Sequence, residues 1–254
     1  MELGLREATV LVTGGSNGIG AAIARAFVEE GSRVATTYFS DADAGERVVE
    51  EALQRGGQAM AMPYDLADPG GADSIVDQLL ARWGRLDVVI ANAVRWPILP
   101  NGQQLLADTD PPAWRHAVRV NLEGTTALLR RAALEMMTAG AGRIVVVTTE
   151  VAEVGMAGAT AYSTAKAGLH GLVASLRWEL GPRGILINMI SPGFNLTPRN
   201  LANLPDEVRE QVRRRTPTGR LSTPEDAAPT VVFLASQANR NITGEFISVS
   251  GGAD

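Results

Sequence analysis

The sequence predicts an α/β protein built on a doubly wound parallel sheet, and three observations carry that prediction. Short runs rich in β-branched residues alternate with longer amphipathic stretches along the whole chain. Several of the short runs are apolar throughout, Ile144-Val145-Val146-Val147 being one, which suits strands covered on both faces. The first short run ends in a glycine-rich turn with a helical pattern directly behind it. Repeated strand–helix–strand units with right-handed crossovers close into such a sheet.

Strands are expected over 8–13, 32–37, 58–62, 86–91, 143–148, 185–191 and 246–249. Helices are expected to begin near Gly18, Ala42, Gly70, Pro111, Thr160 and Pro224. The segment 195–223 breaks this rhythm, with Pro198, Pro205 and Pro217 interrupting it. Long excursions behind the carboxyl end of a strand often cover active sites, so 195–223 is expected to be a helical substrate lid. With no linker or internal repeat, residues 1–254 are expected to form one domain.

Of the 254 residues 45% are hydrophobic and 20% are charged, enough for a sizeable core. The formal net charge of −5, without a basic stripe, argues against a nucleic-acid partner. The run Arg213, Arg214, Arg215 lies in a polar helical pattern and is expected to form a solvated face. There is no cysteine, hence no disulfide framework and no thiolate metal site. His116 and His170 stand far apart, and no metal site is expected from them. No apolar run approaches the roughly 18 residues needed to span a bilayer, and no membrane partner is expected. Residues 1–13 show no signal-peptide pattern, so the expected location is cytoplasmic.

The turn behind the first strand reads Thr13-Gly14-Gly15-Ser16-Asn17-Gly18-Ile19-Gly20. Glycines at 14, 18 and 20 permit a sharp turn and a close approach of phosphate to the backbone. The helix that opens there offers unpaired N–H groups and the positive end of its dipole. A glycine cluster alone is a weak signal. Its place at the first strand–helix junction makes it the mark of a dinucleotide site in a Rossmann-type sheet. The second strand ends in Thr36-Thr37-Tyr38-Phe39-Ser40. An NAD-selective site usually places an acid at that tip for the ribose 2′-hydroxyl. Tyr38 stands there instead, and Asp41 and Asp43 come later. Ser40 and backbone N–H groups are available to a 2′-phosphate, although no arginine neighbours them in sequence. No arginine is expected where it would make the choice firm, Asn17 sitting in the glycine loop instead, and NADP(H) is favoured, with NAD(H) the alternative.

Tyr162 and Lys166 lie four apart at the start of a helical pattern, so they share a helix face. The ammonium is expected to lower the tyrosine pKa from its ordinary value near 10. The phenol then serves as general acid in carbonyl reduction or as base in alcohol oxidation, while a nicotinamide carries the hydride.

These residues together resemble the short-chain dehydrogenase/reductase family. The resemblance rests on Thr-Gly-x-x-x-Gly-x-Gly from Thr13, Asn92-Ala93, Tyr162-x-x-x-Lys166, and Pro192-Gly193 followed by Thr197. It runs from about Leu5 to Gly252, and the 3-oxoacyl-carrier-protein reductase-type ketoreductases are the most similar subgroup. It implies that Tyr162 is the general acid/base and that Lys166 lowers its pKa and binds the nicotinamide ribose. It further implies that Asn121 anchors a water in a proton relay, and that Asp65, beside Leu66, accepts from the adenine amine. Asn92 and Ala93 are implied to line the cofactor. Pro192, Gly193 and Thr197, with Asn195 between them, are implied to border the nicotinamide. Gly14, Ser16, Asn17, Gly18, Ile19, Gly20, Tyr38 and Ser40 complete the expected cofactor-binding set. A homotetramer or homodimer is also implied.

The sequence departs from the family pattern in three places. Thr149 stands where the substrate-orienting serine is usual; its hydroxyl survives, but its methyl restricts χ1 and crowds the pocket. Thr148 points to the other side of the strand and is the weaker candidate. Val94 replaces a glycine and is expected to alter its turn, and Ser250 replaces an aspartate before Gly251-Gly252. Trp96 and Pro97 are candidates for a substrate wall, while Glu150 and Glu153 are expected on a solvated loop. The leading functional expectation is NADPH-dependent reduction of a ketone, with the resemblance pointing to a carrier-bound or polyketide-like acyl substrate. Its rivals are oxidation of a secondary alcohol such as a sugar or steroid, and a cofactor-binding regulatory or scaffold protein without redox turnover.

Overall fold

The computed structural model describes residues 2–96 and 105–253. Its strands are β1 (Thr9–Val12), β2 (Arg33–Tyr38), β3 (Gln58–Pro63), β4 (Val88–Ala91), β5 (Gly142–Val147), β6 (Ile185–Ser191) and β7 (Phe246–Ser248). They form one parallel sheet in the order β3-β2-β1-β4-β5-β6-β7. The helices are α1 (Gly18–Glu29), α2 (Ala42–Gln54), α3 (Gly71–Trp83), α4 (Pro111–Val118) and α5 (Gly124–Ala139), then α6 (Val151–Val154), α7 (Thr160–Leu180), α8 (Pro198–Asn203), α9 (Asp206–Arg215) and α10 (Pro224–Ala235). This is the doubly wound Rossmann-type sheet that the alternating pattern predicts.

The apolar strands are buried on both faces because successive side chains enter two different cores. Leu11, Val89, Ile144 and Ile187 pack with α3, α5 and α7. Val10, Val12, Ile90, Val145 and Ile190 pack with α1, α2 and α10 on the other face. The strand order reverses between β1 and β4, and in such sheets the ligand crevice opens beyond the carboxyl ends at that point.

Proline and acidic residues set the helix starts around the crevice. Asp110 caps α4 by accepting from the Ala113 N–H, with Pro111 in the first turn, where its missing N–H costs nothing. Thr223 and Asp226 cap α10 reciprocally. Between α4 and α5 the backbone widens into a π-helical segment, Arg119–Glu123, which turns Asn121 into the protein. In 195–223 the structure contains α8 and α9. On the exposed α9, Arg213 and Arg214 both pair with Glu210, in line with the expected solvated face. Among the described residues no helix is long and apolar enough to cross a membrane.

Helix α5 follows the π-helical segment and meets the loop behind β3 at Gly124, where an added Cβ would stand 2.2 Å from the Leu66 carbonyl oxygen. That obstacle is backbone, which cannot rotate away. Gly124→Ala should therefore destabilise the fold by about 1–3 kcal/mol, the usual cost of overpacking. A urea midpoint lowered at unchanged slope is the expected result, and an unshifted midpoint would show that the loop yields freely.

Candidate active site

The glycine loop is laced to β4. The Thr13 hydroxyl donates to the Ile90 carbonyl and accepts from the N–H groups of Asn92 and Ala93. The Asn92 amide donates in turn to the carbonyls of Thr13 and Gly14, at 2.9 and 3.0 Å. Asn92 thus holds the loop with its side chain, whereas the resemblance implies a cofactor-lining residue. From the other side, the Gly14 N–H donates to the Thr37 hydroxyl at 2.9 Å. Gly14 itself has φ +63°, and a Cβ on it would meet the Ala93 Cα at 3.0 Å. Behind the loop, α1 begins with Asn17 as N-cap, yet no side chain caps it and no acid occupies its first turn.

At the β2 tip the ring of Tyr38 faces α2, since a Cβ on Gly45 would lie 2.7 Å from it. The exposed Phe39 carries the tip outward, with Ser40 exposed beyond it. Over the Phe39 ring, 3.9 Å from its centroid, lies the Arg95 guanidinium. Arg95 also donates to Asp65 Oδ1 at 2.9 Å, an oxygen that accepts from the Ala67 N–H as well. An arginine therefore does reach the β2 tip, from the loop behind β4. Its contact with Phe39 spans more than fifty residues of sequence, so nothing adjoining the tip announces it.

The pair expected to handle the proton sits at the start of α7. Tyr162 and Lys166 are both buried, with 5% and 3% of their surface exposed. The Lys166 ammonium donates to the Val147 carbonyl at 2.9 Å, tying α7 to the end of β5. Burial pushes the Lys166 pKa down to about 8. Tyr162 moves opposite to expectation. Burial, reinforced by the negative charge of Glu150 and opposed by Arg199, holds its phenol above its ordinary pKa. The cation expected to favour phenolate has turned its hydrogen bond to the Val147 carbonyl. The Trp96 ring packs against Tyr162 at 4.5 Å between centroids, and the Arg199 guanidinium lies 5.2 Å from the Trp96 centroid. Trp96 stands where a substrate wall was expected; Pro97 lies outside the described residues.

Thr148 is buried, with its hydroxyl 3.1 Å from His170 Nε2, and His170 also packs on Phe246. Thr149 is more open, and its Oγ1 accepts from the Val151 N–H at 3.3 Å, which leaves its proton available. Glu150 is not the loop residue expected: Ser191 donates to its Oε2 at 3.1 Å, and its charge acts on Tyr162. Asn121 commits its side chain to Arg95, accepting from its N–H and donating to its carbonyl, both at 2.9 Å. The Asn121 backbone carbonyl accepts from the Thr125 hydroxyl. Val94 causes no strain, because Glu7 is the sole non-glycine at positive φ among the described residues. Ser250 accepts from the N–H groups of Gly252 and Ala253, closing the turn as an aspartate would. That turn backs Gly193, whose added Cβ would lie 2.7 Å from the Ser250 Cα.

Residues 14–254 match the family model described as enoyl-(acyl carrier protein) reductase. The chain belongs to the short-chain dehydrogenase/reductase family. It is 36% identical over 248 residues to cis-4-hydroxycyclohexanecarboxylate dehydrogenase of Sinomonas cyclohexanicum, covering 97% of this chain and 96% of that one. It is 34% identical over 244 residues to the 3-oxoacyl-(acyl-carrier-protein) reductase FabG of Staphylococcus aureus, covering 96% and 97%. The structure is similar to that of a 7α-hydroxysteroid dehydrogenase complexed with NADH and 7-oxo glycochenodeoxycholic acid. That match has a TM-score of 0.91 and 31% identity, and covers 99% of this chain and 96% of the other. As a short-chain dehydrogenase/reductase the protein is an oxidoreductase acting on CH–OH groups, in a family that binds NAD(P).

The short-chain dehydrogenase/reductase site fits such a dinucleotide on its own geometry. The uncapped α1 N-terminus, free of acids, suits a pyrophosphate. Gly18 has φ +54°, a backbone conformation that favours glycine, and it faces Thr197 across the passage. Asn195 is buried, donates to the Pro192 carbonyl, and leaves its Oδ1 without a hydrogen-bond partner, an acceptor suited to a carboxamide N–H. Thr197 caps α8 by accepting from the Asn200 N–H.

The depressed Lys166 pKa carries a definite sign. Between about pH 8 and the ordinary lysine value near 10.4, the unfolded chain binds this proton more tightly than the native one, so unfolding free energy rises with pH. The burial penalty is fully present below about pH 8 and relaxes above it. Measured against Lys166→Met, the wild type should gain relative stability between pH 8 and 10 in urea unfolding. A difference flat across that window would show that the native ammonium keeps an ordinary affinity for its proton.

Proposed function

We propose that this protein reduces a ketone to a secondary alcohol with NADPH. The observation that carries the reading is Tyr162, a buried phenol on α7 that shares the helix start with the buried Lys166 and packs against Trp96. A phenol that keeps its proton is already in the form that donates to a carbonyl oxygen. Thr149, whose Oγ1 accepts from the Val151 N–H, directs its own proton to the same oxygen and orients it. Lys166, anchored on the Val147 carbonyl, places its charge beneath the helix face that holds the phenol. Asn121 fixes the backbone of Arg95 and thereby the direction of Trp96, which shields the phenol from water. The glycine loop, Asp65 and Leu66, Asn92 and Ala93, and the run from Pro192 to Thr197 hold the dinucleotide. When bound, its nicotinamide supplies the hydride. Segment 195–223 acts as the substrate lid of a single domain.

Arg95 favours NADPH over NADH. Its guanidinium stacks on Phe39, one residue before Ser40, at the tip where a 2′-phosphate lies, and Asp65 holds it there. Carrier-bound acyl chains, like those of the Staphylococcus relative, belong to the ketone class proposed. The same residues run alcohol oxidation in reverse, and the relatives named as dehydrogenases support that as the second reading. Family membership leaves the reading without turnover unsupported. The enzyme is further proposed to be a cytoplasmic homodimer or homotetramer, with exposed Leu134 on α5 and Trp178 on α7 supplying apolar contact.

Following NADPH absorbance over a ketone panel tests the mechanism. Tyr162→Phe should lose roughly 10²–10⁴ in kcat, the usual worth of positioned proton transfer. Undiminished turnover would remove the phenol from the reaction. Thr149→Ser should retain or raise the rate and Thr149→Ala lower it; equal rates for all three would dismiss Thr149 as the orienting group. For cofactor choice, Arg95→Ala should lower kcat/KM for NADPH about 10- to 100-fold relative to NADH, the worth of a charge-assisted hydrogen bond. An unchanged ratio would place the selectivity elsewhere.

A further inference from the structure

Arg199 enters the site by an unusual route. It follows Pro198 at the start of α8 and is exposed, and its guanidinium lies 5.2 Å from the centroid of the Trp96 ring, which packs on Tyr162. Both the cation and the phenol therefore adjoin Trp96, and the charge of Arg199 reaches Tyr162. The arginines around it are paired differently. Arg95 holds Asp65, Arg209 holds Asp206, Arg213 and Arg214 share Glu210, and Arg220 holds Asp226. Among the described residues no carboxylate lies within 4.0 Å of Arg199. Residues 97–104, outside the described set, contain no acid at all. Glu150, the carboxylate that also acts on Tyr162, receives its hydrogen bond from Ser191 and makes no ion pair with Arg199.

A guanidinium does not lose its charge in a protein, is weakly hydrated, and presents a planar fork matched to a carboxylate. One left without a carboxylate partner beside an aromatic ring that packs on the phenol is preorganised for an anion that arrives with the substrate. We propose that Arg199 binds a carboxylate carried by the substrate, so that the natural ketone is a free keto acid and its product a hydroxy acid. The inference rests on the ketone-reduction reading above and narrows it, because an acyl thioester has no carboxylate to offer. Arg199 then fixes the far end of the substrate, Trp96 covers its apolar middle, and Tyr162 meets its carbonyl oxygen.

The test compares 4-oxopentanoate and 4-oxocyclohexanecarboxylate with their methyl esters and with the neutral thioester acetoacetyl-N-acetylcysteamine. Wild type should prefer each acid over its ester by at least about 10-fold in kcat/KM, and Arg199→Leu should lower that ratio about 10- to 100-fold. Arg199→Lys, which keeps the charge but not the fork, should recover part of it. An acid-to-ester ratio that does not change in Arg199→Leu, or a wild-type preference for the esters or the thioester, would overturn the proposal while leaving ketone reduction standing. Should none of the ketones turn over, the reduction reading fails, and binding still decides the role of Arg199. By calorimetry, benzoate should bind wild type more tightly than benzamide does, and Arg199→Leu should abolish the difference. Equal binding of the two by wild type would refute a carboxylate site.

Discussion

The junction between Thr13 and Asn92 is the constraint on which the site depends. Five hydrogen bonds to or from these two side chains close the glycine loop against the end of β4, across the place where the strand order reverses. Without them the loop would have no reason to stay folded back over the sheet, since glycine-rich segments resist ordering more than any other. With them the crevice has a fixed floor and the α1 N-terminus points into it. Thr37 secures the other flank of the loop from β2. Three strands thus converge on one turn, and their own ladders hold it in register.

From that floor the loop behind β4 divides two tasks between adjacent residues. Arg95 and Trp96 diverge, one toward the tips of β2 and β3, the other toward the phenol on α7. Asn121 controls the divergence by gripping both backbone polar groups of Arg95. Its inward position follows from the π-helical widening between α4 and α5, an energetically poor stretch of helix that is tolerated where it directs a side chain. Around Tyr162 the dominant influence is dryness. Burial outweighs either neighbouring charge, and Glu150 and Arg199 act in opposite directions. The phenol therefore rests as a donor.

Much of this was legible in the sequence, and the failures share a cause. The sheet and the starts of α1, α2, α3, α4, α7 and α10 follow from hydrophobic period and from glycine and proline punctuation, which are local properties, whereas the strand order and the starts of α5, α6, α8 and α9 do not. The Tyr162–Lys166 face and the glycine loop were equally legible, because helical spacing and turn chemistry act within a few residues. Which way a charged side chain turns was not. Lys166 was expected to serve the phenol and instead donates to a strand carbonyl. Glu150 was expected in solvent and instead accepts from Ser191. Arg95 and Arg199 gain their significance from Phe39 and Trp96, partners more than fifty and one hundred residues away. The one available hint was an arginine directly behind Thr197 and Pro198, at a helix start that faces the glycine loop.

The central claim is that a hydride passes to a carbonyl carbon while Tyr162 protonates its oxygen. The most direct measurement is NMR of the alcohol formed from a ketone and NADPH deuterated at the reactive C4 position. The account predicts one deuterium on the former carbonyl carbon, an unlabelled hydroxyl in ordinary water, and negligible product from Tyr162→Phe over the same interval. Alcohol formed without deuterium at that carbon, or formed equally fast without the phenol, would contradict it.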